Sequence, residues 1–360
     1  MSAATSSSGR RRRVAVLGAT GAVGQAFIRL LANHPWFELT EVAASERSAG
    51  KSYADATRWI GGDPMPANVR GMTVQACDPS NISAEIVFSA LDSAAAQDAE
   101  PAFARAGKVV LTNAKNYRMD PDVPLVIAEV NPSHLGVLEA QRRNRGWTGA
   151  IVANGNCASI VAALPLAPIH ERFGIANVFA VTMQAVSGAG YPGVPSLDIL
   201  GNVIPFIKDE EPKIETEIQK FLGTVETSTI RSAAFGVSAH ANRVAVEHGH
   251  TICLSIALET RADARDVERA ISDWRGAEAA RGLPSAPARP LVVSEEPDHP
   301  QPRRHVDTGN GMTVVVGRVR SDPILDVKLV AMGHNILRGA AGASVLNAEL
   351  MVHCGALAES

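Results

Sequence analysis

The glycine-rich stretch Val14-Ala-Val-Leu-Gly18-Ala-Thr20-Gly21-Ala-Val-Gly24 lies between the first apolar run of the chain and a segment with helical spacing. Glycines allow a tight turn and let the backbone approach a pyrophosphate, which then binds at the N-terminus of the following helix. The spacing is GxxGxxG rather than the commoner GxGxxG, and the stretch alone is also compatible with a plain packing turn. Its position between strand and helix favours a dinucleotide site formed by Gly18, Thr20, Gly21, Ala22, Val23 and Gly24.

The first half of the chain alternates short apolar runs with amphipathic segments. Continuous runs of Val, Ile and Leu predict buried strands at 14–17, 39–43, 86–90 and 109–111. Helical spacing predicts helices at 22–32 and 94–106. Strands that alternate with helices indicate a parallel sheet covered on both faces. We therefore predict an α/β protein whose residues 14–155 form a Rossmann-type dinucleotide-binding domain.

The second half has a different pattern, with strands separated by long connections. A helix is predicted at 158–173, and strands at 178–186, 251–258, 312–320 and 325–331. This pattern indicates an α+β catalytic and oligomerisation domain with a mixed sheet over residues 156–334. Six prolines between 284 and 302 predict an extended surface loop there. A closing helix at 337–352, within the segment 335–360, is predicted to rejoin the first domain.

The composition excludes several classes of protein. Lys and Arg number 34 and Asp and Glu 37, so the formal net charge of −3 argues against nucleic acid or an anionic membrane as partner. No apolar run approaches the roughly 18 residues of a membrane helix. Four separated cysteines without a CxxC pair exclude the usual structural zinc patterns and favour a reducing cytoplasm. Residues 1–13, rich in Ser and then Arg, are expected to be a disordered extension.

The choice of dinucleotide depends on the end of the second predicted strand, Ala44-Ser45-Glu46-Arg47-Ser48. An NAD site needs an acidic residue for the ribose hydroxyls, a role open to Glu46. Ser45, Arg47 and Ser48 form a better cradle for a 2′-phosphate, which favours NADP. A solvated polar loop is the alternative interpretation.

Cys157 is the candidate nucleophile. It follows Asn154-Gly155-Asn156 and precedes a predicted helix, and the positive end of a helix dipole lowers the pKa of a thiol. A lone cysteine is more often a small core residue, but the flanking Asn-Gly-Asn favours a reactive thiol here. The segment from Arg243 to His250 offers an arginine and two histidines as partners. No further ligands complete a metal site around those histidines.

Two further polar clusters are ambiguous on their own. Asp209-Glu210-Glu211-Pro212-Lys213 is typical of a charged helix N-terminus. The segment 113–118 contains Asn113 and Arg118 directly after a predicted strand. These side chains either bind an anion or are exposed on a surface loop without a binding role.

Together these motifs resemble those of aspartate-semialdehyde dehydrogenase, particularly its archaeal and fungal branch. The resemblance runs from residue 14 to about residue 352. Besides the motifs above, it includes Val186-Ser-Gly-Ala-Gly-Tyr-Pro-Gly193, Glu210-Glu-Pro-Lys-Ile-Glu-Thr-Glu217, Gly333-His-Asn335 and Arg338-Gly-Ala-Ala-Gly-Ala-Ser344. Several motifs in the right order make the resemblance more specific than any one of them.

The resemblance implies roles for individual residues. Cys157 would be the nucleophile, His250 the general acid and base, and Gln184 would orient the substrate. Asn156 and the N–H groups at the helix start would stabilise an oxyanion. The implied binding residues are Arg243 for the substrate carboxylate, Glu210 for its ammonium, Asn113, Arg118 and Lys213 for phosphate, and Ser89, Ser187, Gly188 and Asn335 for the cofactor. His248 matches none of these roles and is interpreted as structural.

The implied reaction is the NADPH-dependent, reversible conversion of L-aspartyl-4-phosphate to L-aspartate-4-semialdehyde and inorganic phosphate through a cysteine thioester. It serves the biosynthesis of Lys, Thr, Met and Ile, and the family forms homodimers or homotetramers. The chain departs from the family's Pro-Asn-Cys-Ser/Thr-Thr at Gly155 and Ala158, and loss of the proline is expected to loosen the turn. Alternatives are a reductase of malonyl-CoA or N-acetylglutamyl phosphate, or a non-catalytic NADP-binding regulator.

Overall fold

The computed structural model describes residues 11–357, which contain two six-stranded sheets. Of the predicted disordered extension, residues 1–10 lie outside the described part. Arg12 and Arg13 contradict that prediction, because they pair with Phe37 and Glu38 in the first sheet. The pairing explains the difference, since the neighbouring strand begins early enough to extend the ladder past the apolar run.

The first sheet is entirely parallel. Its strands are β1 (Arg12–Leu17), β2 (Phe37–Ala44), β3 (Val74–Ala76), β4 (Ile86–Ser89), β5 (Val109–Thr112) and β6 (Ala150–Ala153). Their order is β3-β2-β1-β4-β5-β6, the doubly wound order of dinucleotide-binding domains. The predicted α/β class is therefore confirmed, and the crevice at which such sheets bind ligands lies where β1 and β4 diverge.

Helices cover both faces of this sheet. In this half of the chain they are α1 (Ala22–Leu31), α2 (Tyr53–Ala56), α3 (Ala67–Arg70), α4 (Ser93–Arg105) and α5 (Leu138–Arg145). Phe27 and Leu31 of α1 are buried in a core on one face, and Phe103 of α4 is buried in a core on the other. The strands are apolar at successive positions because both of their faces are covered.

The second sheet is mixed, as the sequence predicts. Strands β7 to β14 are Ile175–Gln184, Thr224–Glu226, Thr229–Arg231, Gly236–Arg243, His250–Leu258, Leu291–Ser294, Val314–Ser321 and Val327–Gly333. Six of them form the order β10-β7-β11-β14-β13-β12, with parallel pairs at the two edges and antiparallel pairs between, while β8 and β9 form a separate hairpin. The remaining helices are α6 (Cys157–Phe173), α7 (Ser196–Ile199), α8 (Glu210–Phe221), α9 (Ala264–Asp273), α10 (Pro302–His305) and α11 (Ala341–His353).

The proline-rich segment 284–302 is more ordered than predicted. It contains strand β12, which pairs in parallel with β13, and Leu291 is buried. The strand fits between Pro290 and Pro297 at the edge of the sheet, where a proline lacks only an N–H that would otherwise face outwards. The prediction of a loop throughout this segment was therefore wrong.

Two helices connect the halves of the chain. Helix α6 is buried along most of its length and belongs to a core that includes strands of both sheets. Helix α11 returns to the first sheet and packs beside α1, where Glu349 accepts a hydrogen bond from His34 at 2.7 Å. Over residues 11–357, no helix is long and apolar enough to cross a membrane.

Candidate active site

A cleft of about 470 Å³ lies where the carboxyl ends of β5 and β6 face the second sheet. It brings together residues that are far apart in sequence. The predicted residues that line it are Asn113, Arg118, Asn156, Cys157, Gln184, Gly188, Glu210, Lys213 and Arg243.

The second sheet presents its functional residues along one edge. Gln184 ends β7 and pairs with Arg243, which ends β10. His250 begins β11 and pairs with Gly333 at the end of β14, two residues before Asn335. Strand direction therefore explains why motifs up to about 150 residues apart meet at one place.

Cys157 is the first residue of α6, and Asn156 is its N-cap. The Asn156 Oδ1 accepts hydrogen bonds from the N–H groups of Ala158 and Ser159 at 2.9 and 3.1 Å. Gly339 packs so closely on this turn that a Cβ there would lie 2.5 Å from the Cys157 Cβ. The thiol is thus held by a capped helix on one side and by the return segment of the chain on the other.

Gly155 does not loosen this turn, in contrast to the expectation from the sequence. A Cβ at position 155 would collide with the ring of Phe221 and lie 3.1 Å from Glu217. Both side chains come from α8 and are buried. Close packing of α8 on Gly155 therefore restrains the turn in place of the missing proline.

His250 lies beside the thiol. Its Nε2 is 3.0 Å from the Cys157 Sγ, and its Nδ1 accepts a hydrogen bond from the Ala185 N–H at 3.1 Å. An Nδ1 that accepts leaves the proton of the neutral ring on Nε2. His250 therefore directs an N–H donor at the sulfur and at the space beside it.

Burial keeps this pair neutral in the ligand-free protein. Burial, and next the negative charge of Glu210, raises the pKa of Cys157 to about 12, although Arg118 and Arg243 oppose this rise. Burial, and next Arg243, lowers the pKa of His250 to about 3. The helix position predicts a lowered pKa for the Cys157 thiol. Burial raises this pKa, and the effect of burial is the larger of the two.

Arg243 shares a backbone anchor with the histidine. Its guanidinium donates to the Ala185 carbonyl at 2.8 Å, while the N–H of the same residue holds His250. Gly188 packs against both, because a Cβ there would lie 2.9 Å from an Arg243 nitrogen and 3.1 Å from the His250 ring. Gln184, directly before Ala185, is buried and donates to Thr182 at 3.3 Å.

The first turn of α8 supplies both a carboxylate and an ammonium group. Glu210 accepts from the Asn156 amide at 2.7 Å and from Lys213 at 3.2 Å. Lys213 and Glu210 are therefore paired with each other before any substrate binds. Their opposite charges suit a ligand that carries both a cation and an anion.

Arg118 and Asn113 make contacts that the sequence does not indicate. Arg118 donates to the Glu217 carboxylate at 2.8 Å and to the Asn113 carbonyl at 2.7 Å. The Asn113 side chain bonds to Ser89 and Asn154. Glu217 was missed as a site residue, although its spacing of seven from Glu210 places both on one face of the helix.

The start of α6 offers fewer free donors for an oxyanion than expected. The N–H groups of Ala158 and Ser159 are taken by the cap, and the Asn156 N–H donates to Glu217 at 2.5 Å. Within the described residues, the Cys157 N–H has no hydrogen-bond partner. That N–H and the second amide hydrogen of Asn156 are the donors that remain.

The glycine-rich turn fits a dinucleotide. Gly18 has φ +69°, and a Cβ there would lie 2.5 Å from the Ala90 carbonyl oxygen, so the turn packs directly on the end of β4. Gly21 is the N-cap of α1 and provides no side-chain cap. The N–H groups of Ala22, Val23 and Gly24 are thus left for an anion.

The remaining predicted cofactor residues fall into three groups. Ser45 and Arg47 are exposed directly after β2, and Ser48 closes their turn by donating to the Ser45 carbonyl at 2.8 Å. Ser89 is buried at the end of β4. Asn335 donates to the Ser187 hydroxyl at 2.8 Å and accepts from the Gly249 N–H at 2.9 Å.

His248 gains a specific contact in this region. Its Nδ1 is 2.9 Å from the Ser187 hydroxyl, and its ring stacks on His334 with centroids 5.0 Å apart. A second cleft of about 710 Å³ lies beside these rings and extends to Ala22 on α1. Within residues 11–357, no three His, Cys, Asp or Glu side chains are placed to hold a metal ion.

A doubly wound sheet with an uncapped glycine turn, beside a Cys–His pair, defines the class of dinucleotide-dependent dehydrogenases with a cysteine nucleophile. Residues 13–137 match the model of the semialdehyde dehydrogenase NAD binding domain. Residues 166–338 match the model of the semialdehyde dehydrogenase dimerisation domain. Cys157 lies in the interval between the two matches.

Full-length relatives specify the family further. The chain is 49% identical to the aspartate-semialdehyde dehydrogenase of Archaeoglobus fulgidus over 95% of this chain and 98% of that protein. It is 46% identical to that of Schizosaccharomyces pombe over 96% and 99%. A crystal structure of the Candida albicans aspartate-semialdehyde dehydrogenase with NADP superimposes with a TM-score of 0.89 at 40% identity, covering 96% of this chain and 100% of that one. The chain belongs to the aspartate-semialdehyde dehydrogenase family.

Proposed function

We propose that this protein converts L-aspartyl-4-phosphate to L-aspartate-4-semialdehyde and inorganic phosphate with NADPH, and that it catalyses the reverse reaction. This is a step in the biosynthesis of Lys, Thr, Met and Ile. The observation that carries the proposal is the Cys157 sulfur 3.0 Å from the His250 Nε2, in a cleft that also contains Glu210 and Arg243.

Cys157 supplies the nucleophile. Its sulfur attacks the acyl carbon of the aspartyl phosphate, the bond to the phosphate oxygen breaks, the thiol proton leaves on the departing phosphate, and a thioester forms. Arg118 and Arg243 favour the thiolate that this step requires. Bound NADPH supplies the hydride that reduces the acyl group. The Nε2–H of His250 donates a hydrogen bond to the oxyanion of the tetrahedral adduct; when the carbon–sulfur bond breaks, the aldehyde forms and the thiolate regains a proton from solvent.

The charged groups of the cleft match the three charges of the substrate. Arg243 binds the carboxylate, and Glu210 binds the ammonium group. Arg118 and Lys213 bind the phosphate, with Asn113 shaping the wall. Glu210 favours an amino-acid substrate over malonyl-CoA, which has no ammonium group to bind.

NADP is the proposed cofactor. Its pyrophosphate binds at the start of α1, and the exposed Arg47, flanked by Ser45 and Ser48, takes the 2′-phosphate. Ser187, Gly188 and Asn335 would hold the nicotinamide end. The similar Candida albicans protein has a crystal structure with NADP, which supports the same assignment.

The proposed assembly is a homodimer or a homotetramer. Apolar side chains on α7 and on the segment after it support this assembly, because they are exposed in the single chain: Leu197, Leu200, Val203 and Phe206. We assign residues 14–155 with 335–360 to the NADP domain and 156–334 to the catalytic and oligomerisation domain. The four cysteines are free, which supports a cytoplasmic location.

The test is reduction of NADP by L-aspartate-4-semialdehyde with and without inorganic phosphate. Wild type should turn over only with phosphate, and Cys157→Ala should lose about 10³-fold or more of the rate while still binding NADP. Cys354→Ala, at an exposed cysteine, is the matched control and should keep the wild-type rate. Turnover by wild type with malonyl-CoA and NADPH but not with the semialdehyde would contradict the proposal.

A further inference from the structure

Glu217 connects two parts of the cleft that belong to different segments of the chain. Its side chain is 1% exposed, in the third turn of α8. One carboxylate oxygen accepts from the Arg118 guanidinium at 2.8 Å, and the other accepts from the Asn156 backbone N–H at 2.5 Å. A single side chain therefore holds both the cation on one wall and the turn that carries the nucleophile.

Arg118 is fixed in orientation by these contacts. One terminal nitrogen donates to Glu217 and the other to the Asn113 carbonyl. The residue is 7% exposed and lines the cleft, and among residues 11–357 its Nε has no partner. A buried N–H without an acceptor is costly, and an anion in the cleft would satisfy it.

The nucleophile turn is held at two adjacent points by the same helix. Glu217 accepts the Asn156 N–H, and Phe221, one turn further along α8, packs on Gly155. A side chain at position 155 would collide with Phe221 and crowd Glu217. The glycine that departs from the family's proline is thus the position at which α8 comes into contact with the turn.

We propose that Glu217 is a positioning residue that holds Arg118 in the orientation required to bind the phosphate group, and keeps that anion site in register with Cys157. This inference rests on the proposed function for its reaction, but the anion site is measurable without turnover. Glu217 is not among the residues that line the cleft and acts through Arg118 and Asn156.

The variant Glu217→Gln tests this role with almost no change in volume. An amide oxygen can accept only one of the two donors, and its NH₂ group opposes the other. The Asn156 N–H is fixed by the helix start, whereas Arg118 is a side chain that can move. We expect the Kd for inorganic phosphate, by calorimetry, and the KM for phosphate to rise about tenfold or more. The kcat at saturating phosphate should change less than threefold.

Glu215→Gln is the matched control. It lies on the same helix and also accepts a backbone N–H, that of Ala239 at 3.1 Å. Its phosphate affinity should stay within twofold of wild type. Glu217→Asp, which keeps the charge but shortens the reach, should lose less affinity than Glu217→Gln, a rescue that a role in packing alone would not produce.

The outcomes separate this inference from the proposed function. Wild-type phosphate affinity in Glu217→Gln would overturn the inference even if turnover confirms the reaction, as would a wild type that binds no phosphate. Weakened phosphate binding in Glu217→Gln would support the inference even if the semialdehyde is not a substrate. Unfolding of both Glu217 variants, seen by circular dichroism, would overturn it by making Glu217 a folding residue.

Discussion

The N-termini of α1 and α6 each border a cleft, but they are built in opposite ways. Helix α1 starts after Gly21, which provides no side-chain cap, so its first N–H groups are left for a ligand. Helix α6 starts after Asn156, which occupies two of those groups itself. An uncapped helix start leaves N–H donors that can bind an anion, whereas a capped start holds its first residues rigidly.

The helix dipole alone does not decide the pKa of a thiol at a helix start. Cys157 is the first residue of α6, where the dipole favours a thiolate. Burial nevertheless raises the pKa of Cys157, because desolvation of a charged sulfur costs more than the dipole returns. The same dipole at α1 acts on an exposed start, where no such cost opposes it.

The largest expected effect on ligand binding comes from closing the uncapped start of α1. In Gly24→Ala, the new Cβ would collide with the Gly18 carbonyl and the Ala19 backbone, so the turn must move. Strain of about 1–3 kcal/mol in the glycine-rich turn should weaken NADP binding by up to about 100-fold in a fluorescence titration. Gly71→Ala, where nothing lies within 4 Å of the new Cβ, should bind NADP as wild type does. Equal NADP affinities in Gly24→Ala and Gly71→Ala would contradict a role of the glycine-rich turn in cofactor binding.

The second prediction concerns the reactivity of Cys157 at the capped start of α6. A thiol whose pKa is raised to about 12 gains thiolate as the pH rises, about tenfold per unit. Alkylation of Cys157 by iodoacetamide, followed by mass spectrometry in the ligand-free protein, should therefore keep rising from pH 7 to pH 10. The exposed Cys354 in the same sample is the internal reference. A plateau for Cys157 below pH 8 would show that the dipole outweighs burial after all.

The smallest effect is on stability. Asn156→Ala removes the cap of α6 and should lower the free energy of unfolding by about 1 kcal/mol in urea titration. Asn156→Ser keeps a capping oxygen but loses the amide contact to Glu210, so it should recover much of the stability without recovering the activity. Recovery of both by serine would mean that the amide has no role beyond the cap.

The sequence predicted β1, β2, β4 and β5 of the first sheet and the central strands of the second, because buried strands are continuous in Val, Ile and Leu. It did not predict β10, whose residues Gly236–Arg243 are mostly small or polar. It also missed β12 between its prolines. Both are edge strands, which are specified by their neighbours more than by their own composition.

The residues of the cleft could be named from motifs, but their partners could not. Ala185 orients Arg243 and His250 through its backbone alone, so no side-chain pattern marks it. Glu217 looked like one more charge on a helix. The free donors of α6 could not be counted until the contacts of Asn156 were known. What sequence cannot supply is which hydrogen-bonding groups are already occupied.

The return of α11 to the first sheet means that this sheet is covered late in synthesis. On the ribosome, the strands of that sheet are all synthesised by Ala153, yet the helix that covers one of its faces, Ala341–His353, emerges only after the whole second sheet. Val345, Leu346 and Leu350 then bury against residues made much earlier. The nascent first half must wait with an apolar face uncovered, so its folding finishes only after the second half has been synthesised and depends on residues 341–353.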